Sequence, residues 1–211
     1  MKSVKTFISP LVFAACWCVA LPASADPIDV FNNIDQPESG GSLIASADWV
    51  GQAFTTPTDH FQNATVKVNL STTGTPTGTF EAAIYNSLSG PTQIGSATGI
   101  SLTGIAIGTG DVTLGLNLGS LSTATTYYLV LSGINLGGTG NLVWDASANN
   151  TGLGSGFSTL WATSANAGTN WTNSTGFPQK MLIQAEIPEP ASIALFAIGL
   201  AGLRFSRRKV V

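Results

Sequence analysis

The sequence predicts an all-β domain over residues 26–187, arranged as a jelly-roll-like β-sandwich of two sheets. Short runs with apolar residues at alternate positions recur along this stretch, as in strands with one buried face. Segments rich in Gly, Ser, Thr and Asn separate the runs, and no stretch keeps the 3.6-residue apolar period of an amphipathic helix. About eight or nine short strands are expected, which favours a jelly roll, with an immunoglobulin-like sandwich as the second choice.

The first clear element is a strand over residues 65–71, where three apolar residues alternate with polar ones. The Gly, Thr and Pro residues of 73–78 predict a turn. Alternation resumes over residues 80–85 and predicts a second strand. We therefore expect these two strands to be neighbours, joined as a hairpin.

The strand predicted over residues 126–132 is apolar on both faces, so it belongs in the middle of a sheet. The stretch 149–176 is interpreted as one long loop with a short strand in it. Further strands are predicted over residues 93–107 (one or two short strands), 111–118, 142–144, 157–161 and 179–187.

The first 25 residues have the plan of a secretory signal peptide. Lys2 and Lys5 precede an apolar stretch, and Ala23 and Ala25 form an A-x-A cleavage site. An alternative is lipidation at Cys16, which follows a weak lipoprotein-like sequence. Both cysteines of the chain lie in this segment, so the exported body is expected to hold no disulfide, thiolate metal site or cysteine nucleophile.

The C-terminal stretch 188–211 has three parts in a fixed order. The tripeptide Pro188, Glu189 and Pro190 disfavours regular structure, because proline fixes φ and restricts the residue before it. Residues 191–203 are apolar and uncharged, and they predict a hydrophobic helix shorter than the roughly 20 residues that usually span a membrane. A basic cluster follows and predicts a cytoplasmic C-terminus: Arg204, Arg207, Arg208 and Lys209.

This tail resembles the PEP-CTERM sorting signal of Gram-negative bacteria. The resemblance implies that an exosortase, a membrane-embedded protease-transpeptidase, removes the tail and passes the body to the cell surface or beyond. The Pro-Glu-Pro motif and the basic cluster would be the residues that this partner recognises. An ordinary tail anchor that stays attached is the alternative.

The body also resembles the choice-of-anchor domains of exported bacterial proteins, most closely the type labelled R. The resemblance implies a β-rich surface module without known chemistry, and it supplies no catalytic residues. It spans roughly residues 31–186 and depends on short motifs: GQAFTT at 51–56, AIY at 83–85, TYYLVL at 126–131 and VW at 143–144.

The charge of the body excludes one class of partner. Between residues 26 and 187 only Lys67 and Lys180 oppose ten acidic residues, a formal net charge of −8. Nucleic-acid binding needs clustered Lys and Arg, so we expect no nucleic-acid partner.

The sequence contains no recognisable set of catalytic residues, so we predict a non-enzymatic protein without a cofactor. The one histidine, His60, stands alone in a loop, and no G-x-S-x-G motif is present. A hydrolase using two of the scattered acids stays open as an alternative. Asp145, Asn149 and Asn150 offer oxygen ligands in one segment for calcium, but without the spacing of a known calcium loop.

The tryptophans are the best candidates for ligand binding. Exposed Trp faces can stack on sugars, and Trp161 and Trp171 lie in the segment that is interpreted as a long loop. Trp144 is assigned to the core. The alternative function is therefore a carbohydrate-binding module that uses Trp161 and Trp171 on exopolysaccharide, and the other interpretation is that both pack against the sheet.

Overall fold

A computed structural model describes residues 27–58, 62–102, 108–116, 118 and 121–186. The described residues form antiparallel strands and no helix, so none of them provides a helix that could cross a membrane. The ten strands are β1 (Pro27–Asn32), β2 (Glu38–Ile44), β3 (Trp49–Thr55), β4 (Gln62–Tyr85), β5 (Gln93–Ser101), β6 (Gly108–Leu114), β7 (Thr126–Ser147), β8 (Leu160–Ser164), β9 (Thr172–Thr175) and β10 (Met181–Glu186).

All ten strands join in a single curled sheet, in the order β1-β10-β4-β7-β3-β8-β9. Strand β2 adds to β7, and β5 and β6 add to β4. The prediction of an all-β body is therefore confirmed. The arrangement as a jelly-roll-like sandwich of two sheets is not confirmed, because the hydrogen-bonded ladder runs without interruption through the described strands.

The hairpin predicted for residues 65–85 is wrong, because these residues form the one long strand β4. The Gly- and Thr-rich residues of the expected turn pair with an equally Gly-rich middle of β7, where Gly74 is opposite Gly140 and Pro76 is opposite Gly138. The two segments form backbone hydrogen bonds with each other, so their Gly and Pro residues distort the paired strands without ending them. For the same reason, the strands predicted at 126–132 and 142–144 are the two ends of β7.

Gly140 is a position where the pairing of β4 with β7 requires glycine. Its φ is +130°, and a Cβ there would overlap the Thr73 carbonyl oxygen. We expect Gly140→Ala to lower the free energy of unfolding by about 2 kcal/mol, which urea denaturation of the full chain would measure. Gly110→Ala in β6 is the control, because its Cβ would meet open space at an ordinary φ. Equal losses in the two variants would contradict this account.

The core lies on the inner face of the curled sheet, and the alternation seen in the sequence builds it. Val66, Val68 and Leu70 of β4 are fully buried, as are Met181 and Ile183 of β10. This confirms the strands predicted at 65–71 and 179–187. The strands predicted at 93–107 and 111–118 correspond to β5 and β6, although β6 ends at Leu114.

Two parts of the sheet differ from the expectation. Strands β1, β2 and β3 were not predicted: polar Asp29 and Asn32 break the apolar pattern of β1, and Gly or Gln residues interrupt that of β2 and β3. The long loop expected at 149–176 contains β8 and β9, which pair as a hairpin on the free side of β3. The hairpin brings Trp161 onto the sheet, directly opposite Gln52.

Candidate functional site

Two buried amide side chains fasten the segment that leads into β10. Asn33 Nδ2 donates to the Gln179 carbonyl at 3.2 Å, and Asn33 Oδ1 accepts from the Met181 N–H at 2.8 Å. Gln52 Oε1 accepts from the Gln179 N–H at 2.8 Å. Both amides are almost inaccessible to solvent, at 1% and 0% exposure, so these bonds are not exchanged with water. Residues 179–181 are therefore held against β3 and the segment that follows β1.

The same Gln52 helps to position Trp161. Its Nε2 donates to the carbonyl oxygens of Ser158 and Leu160, at 3.0 and 2.9 Å, and so fixes the start of β8. Trp161 Nε1 donates to the Gly176 carbonyl at 2.7 Å, which fixes the ring itself. Residues directly opposite each other in an antiparallel ladder share a face, so Trp161 lies on the same face as Gln52.

A cleft of about 290 Å³ opens beside the Trp161 ring. Strands β2, β7 and β8 and the segment before β10 all contribute to its walls. The side chains that line it are two aromatic, three neutral polar and one small: Trp161, Phe177, Ser39, Ser42, Gln179 and Ala146. Among the described residues, none that lines the cleft is charged. This mixture of apolar area and a few polar groups is typical of small-molecule sites, although the volume is at the small end of their range.

The polar wall of the cleft has an unused hydrogen-bond acceptor. Gln179 is 0% exposed, and its Nε2 donates to Ser42 Oγ at 3.1 Å. Its Oε1 meets no donor within the part of the chain that the structure describes. A buried acceptor without a partner costs about 1–3 kcal/mol relative to a satisfied one, so a donor that reached this oxygen would lower the free energy of the protein.

Phe177 forms the outer wall in an unusual backbone conformation. Its φ is +49°, a value that bulky residues rarely adopt, and its ring is 54% exposed. The Asn150 side chain holds it there, because Asn150 Oδ1 accepts from the Phe177 N–H at 2.6 Å. The strain is thus maintained at a residue whose side chain faces solvent.

Asp145 of β7 is the most perturbed acid that the structure describes. Burial raises its pKa to about 6, against a hydrogen bond from Ser71 that lowers it. Glu38 raises the pKa further and Lys180 lowers it. Ser71 Oγ donates to Asp145 Oδ1 at 2.5 Å, whereas Oδ2 has no hydrogen-bond partner among the described atoms. The side chain is 1% exposed and is not among the residues that line the cleft, so its effect is expected on stability.

The structure places the other predicted tryptophans away from the cleft. Trp144 is fully buried, which confirms its assignment to the core. A Cβ built on Gly51 would lie 3.5 Å from the Trp171 ring. Gly51 and Gln52 are successive residues of β3 and have opposite faces, so Trp171 and Trp161 lie on opposite sides of the sheet. Ligand binding by either tryptophan stays a prediction.

The calcium ligands suggested by the sequence are used within the protein. Asn149 Oδ1 accepts from the Thr151 hydroxyl at 2.8 Å, and Asn150 Oδ1 is bonded to Phe177. Asp145 Oδ1 accepts from Ser71. Within the described ranges, no group of three His, Cys, Asp or Glu residues could hold a metal ion.

Several predicted features lie outside the described residues. These are the signal peptide with Ala23 and Ala25, the loop residue His60, and the whole tail from Pro188 to the basic cluster, including its expected hydrophobic helix. Sequence reasoning missed Phe177 and Gln179 as cleft residues. The one local signal was an aromatic residue between Gly176 and Pro178, where a turn would present it to solvent.

Comparison with known proteins identifies the tail. Residues 186–209 match the model of the PEP-CTERM protein-sorting motif. No curated protein and no solved structure matches the chain. The motif implies export, a membrane-anchored precursor and processing by exosortase, a membrane protein. The resemblance of the body to choice-of-anchor domains is not confirmed.

Proposed function

We propose that this chain is a non-enzymatic bacterial surface or extracellular-matrix protein, whose β-domain is released from the inner membrane by exosortase processing of its tail. The observation that carries the proposal is the PEP-CTERM motif at residues 186–209. The signal peptide predicted at residues 1–25 would start the export, and the basic cluster at 204–209 would keep the C-terminus in the cytoplasm until processing.

The junction between the domain and the motif supports this order of events. The motif begins at Glu186, the last residue of β10, so the sorting segment follows the folded sheet directly. Strand β10 lies between β1 and β4, and its loss would remove an interior strand. Cleavage near Pro188 leaves β10 whole, so the released domain keeps its complete sheet.

The two ends of the domain also lie side by side. Pro27 at the start of β1 is paired with Glu186 at the end of β10. The predicted signal peptide and the sorting tail are therefore attached to neighbouring strands at the same end of the sheet. A domain held in this way can fold on the outer side of the membrane while either segment tethers it.

We extend the proposal to the body, which we assign to the choice-of-anchor type R-like domains. The motifs at 51–56, 83–85, 126–131 and 143–144 lie in or next to β3, β4 and β7. These strands are neighbours in the sheet and contribute much of the core. The motifs are therefore structural, which agrees with a module that is defined by its fold and by interchangeable anchors.

Intact mass spectrometry of the protein from each cell fraction tests the sorting proposal. The parent chain is expected as a surface species that starts near Asp26 and ends near Pro188. Glu189→Ala, and separately the combined replacement of Arg207, Arg208 and Lys209 by alanine, are expected to leave the precursor in the membrane. The physical reason is the loss of the acid in the motif in one variant and of the cytoplasmic basic cluster in the other.

Lys67→Ala is the matched control, because it removes a cation from the body and leaves the tail intact. It should be processed like the parent. Normal processing of both tail variants would overturn the proposal. A parent membrane species that still carries Val211 would also overturn it, in favour of a plain anchor.

A further inference from the structure

The cleft beside Trp161 is a site that the sorting function does not use. It is lined by residues of β2, β7 and β8 and of the segment before β10, and none of them belongs to the sorting motif at 186–209. The Trp161 ring is held by a hydrogen bond from Nε1 to the Gly176 carbonyl, and the backbone of Phe177 is held by one from its N–H to Asn150 Oδ1. A ring that is already held, such as that of Trp161, loses little freedom on binding, which favours recognition over simple packing.

The unused acceptor defines one property of the ligand. Gln179 Oε1 is buried at the cleft and has no donor among the described residues, and Ser42 Oγ already accepts from Gln179 Nε2. Gln179 Oε1 can accept a hydrogen bond, and the hydroxyl hydrogen of Ser42 can be donated to one. A ligand that satisfies both must present O–H or N–H groups together with acceptor oxygens on one edge.

The aromatic walls define the other property. Trp161 is partly exposed and Phe177 is 54% exposed, so both can offer ring surface to a ligand. Phe177 is also kept at a φ of +49°, and strained residues of this kind tend to occur at functional sites. The ligand therefore has at least one apolar face in addition to its polar edge.

The charges of the cleft and of the surrounding body favour a neutral ligand over an acidic one. The residues that line the cleft carry no charge, while the body around it has a formal net charge of −8. An anionic ligand would meet repulsion from the body and no cation in the cleft. A neutral molecule with hydroxyl groups on its edge and C–H groups on its face meets all three conditions.

From this cleft we infer a binding site for one unit of a neutral polysaccharide, stacked on Trp161 and Phe177 and hydrogen-bonded to Gln179 and Ser42. A volume of about 290 Å³ suits a single small ligand and not an extended chain, so the rest of the polymer would continue into solvent. The site goes beyond the proposed sorting function and does not depend on it.

The test is a glycan array that displays neutral hexoses, deoxyhexoses, pentoses and N-acetylhexosamines, with uronic-acid polymers and an uncharged peptide as comparisons. The probe is the full-length chain, purified in mild detergent. The expected result is binding to at least one neutral glycan and none to the uronic-acid polymers. Phe177→Ala and Trp161→Ala are each expected to weaken binding to that glycan about tenfold or more.

Gln179→Met is expected to weaken the same binding, because it keeps the side-chain length and removes both the free acceptor and the Nε2 donor that holds Ser42 Oγ. Leu43→Ala is the matched control: Leu43 is an exposed apolar residue of β2, next to Ser42 in the chain and therefore on the opposite face. Circular dichroism confirms that each variant is folded. Since Trp161→Ala removes a hydrogen bond within the protein, Phe177→Ala, at an exposed side chain, is the decisive variant.

Three results would overturn the site. The first is no binding to any neutral glycan. The second is binding that Phe177→Ala and Gln179→Met leave unchanged, or that only Trp171→Ala abolishes. The third is preferred binding of the peptide. Cleft variants should still be processed at the tail, so failure of this site and failure of the sorting proposal give different results.

Discussion

Trp144→Ala is expected to lower the free energy of unfolding by about 3–5 kcal/mol, the usual range for truncating a buried tryptophan. Trp144 is 0% exposed and belongs to the core cluster on the inner face of β7. Its Nε1 also donates to the Lys180 carbonyl at 2.9 Å. Truncation therefore leaves a cavity in the core and removes one of two donors to the Lys180 carbonyl, which still accepts from the Asn69 N–H at 3.1 Å.

Trp144→Phe reduces the cavity, because it keeps an aromatic ring, although a smaller one, in the core and removes the donor. A loss of about 1–3 kcal/mol is expected for it, from the smaller ring together with the lost hydrogen bond. Urea denaturation followed by far-UV circular dichroism measures both variants, since tryptophan fluorescence would lose part of its own signal. Trp171→Ala, on the opposite and more open side of β3, should cost less than Trp144→Ala. A larger loss at Trp171 would contradict the assignment of the core.

Local alternation in the sequence predicted where strands lie but not how long they are. Val66, Val68 and Leu70 alternate because β4 has one buried face, and that pattern needs no knowledge of the partner strand. The continuity of β4 through Gly74 and Pro76 depends on the opposite residues of β7, which come more than 60 positions later. A single window cannot contain this information, so the residues that favour turns were interpreted as a turn.

Strand β3 was not predicted from the sequence, and the cause is different. Gln52 interrupts an apolar run and argues against a buried strand, yet the residue is 0% exposed. Its amide makes bonds to Ser158, Leu160 and Gln179, all of them more than 100 positions away in the chain. Burial of such a group is favourable only when every partner is in place, and those partners are not visible from the sequence around it.

For the same reason, the sequence predicted only part of the candidate cleft. Trp161 was chosen for its chemistry and its polar surroundings, and the structure places it at the cleft. Trp171 was chosen on the same grounds but lies on the other side of the sheet, because strand pairing fixes the face of each side chain. Gln179 comes from a segment with no binding signal, and only the folded structure shows that Gln52 accepts from its N–H and Ser42 from its Nε2 while its Oε1 stays unused.

The second large effect is expected from Asp145, which should make the free energy of unfolding fall as pH rises. Burial raises the pKa of this carboxyl to about 6 in the folded protein, against about 3.8 as its ordinary value. The folded state therefore holds the proton more tightly than the unfolded chain. The stabilisation from Asp145 is fully present below about pH 3.8 and is lost as pH rises through about 6.

The size of the effect follows from the difference of about two pKa units, which corresponds to roughly 3 kcal/mol. Asp145→Asn keeps an oxygen that can accept from Ser71 and removes the charge. We expect the variant to match the parent near pH 4 and to exceed its free energy of unfolding by up to about 3 kcal/mol at pH 7–8.

Urea denaturation of the parent and Asp145→Asn at closely spaced pH values between 4 and 8 checks this prediction. The quantity to follow is the difference between the two free energies of unfolding, because the other acids of the body act on both proteins alike. Asp35→Asn removes one negative charge at an exposed position and serves as the control. A difference for Asp145→Asn that stays constant across this range would show that the carboxyl does not change its protonation there, and that Lys180 and Ser71 outweigh the cost of burying it.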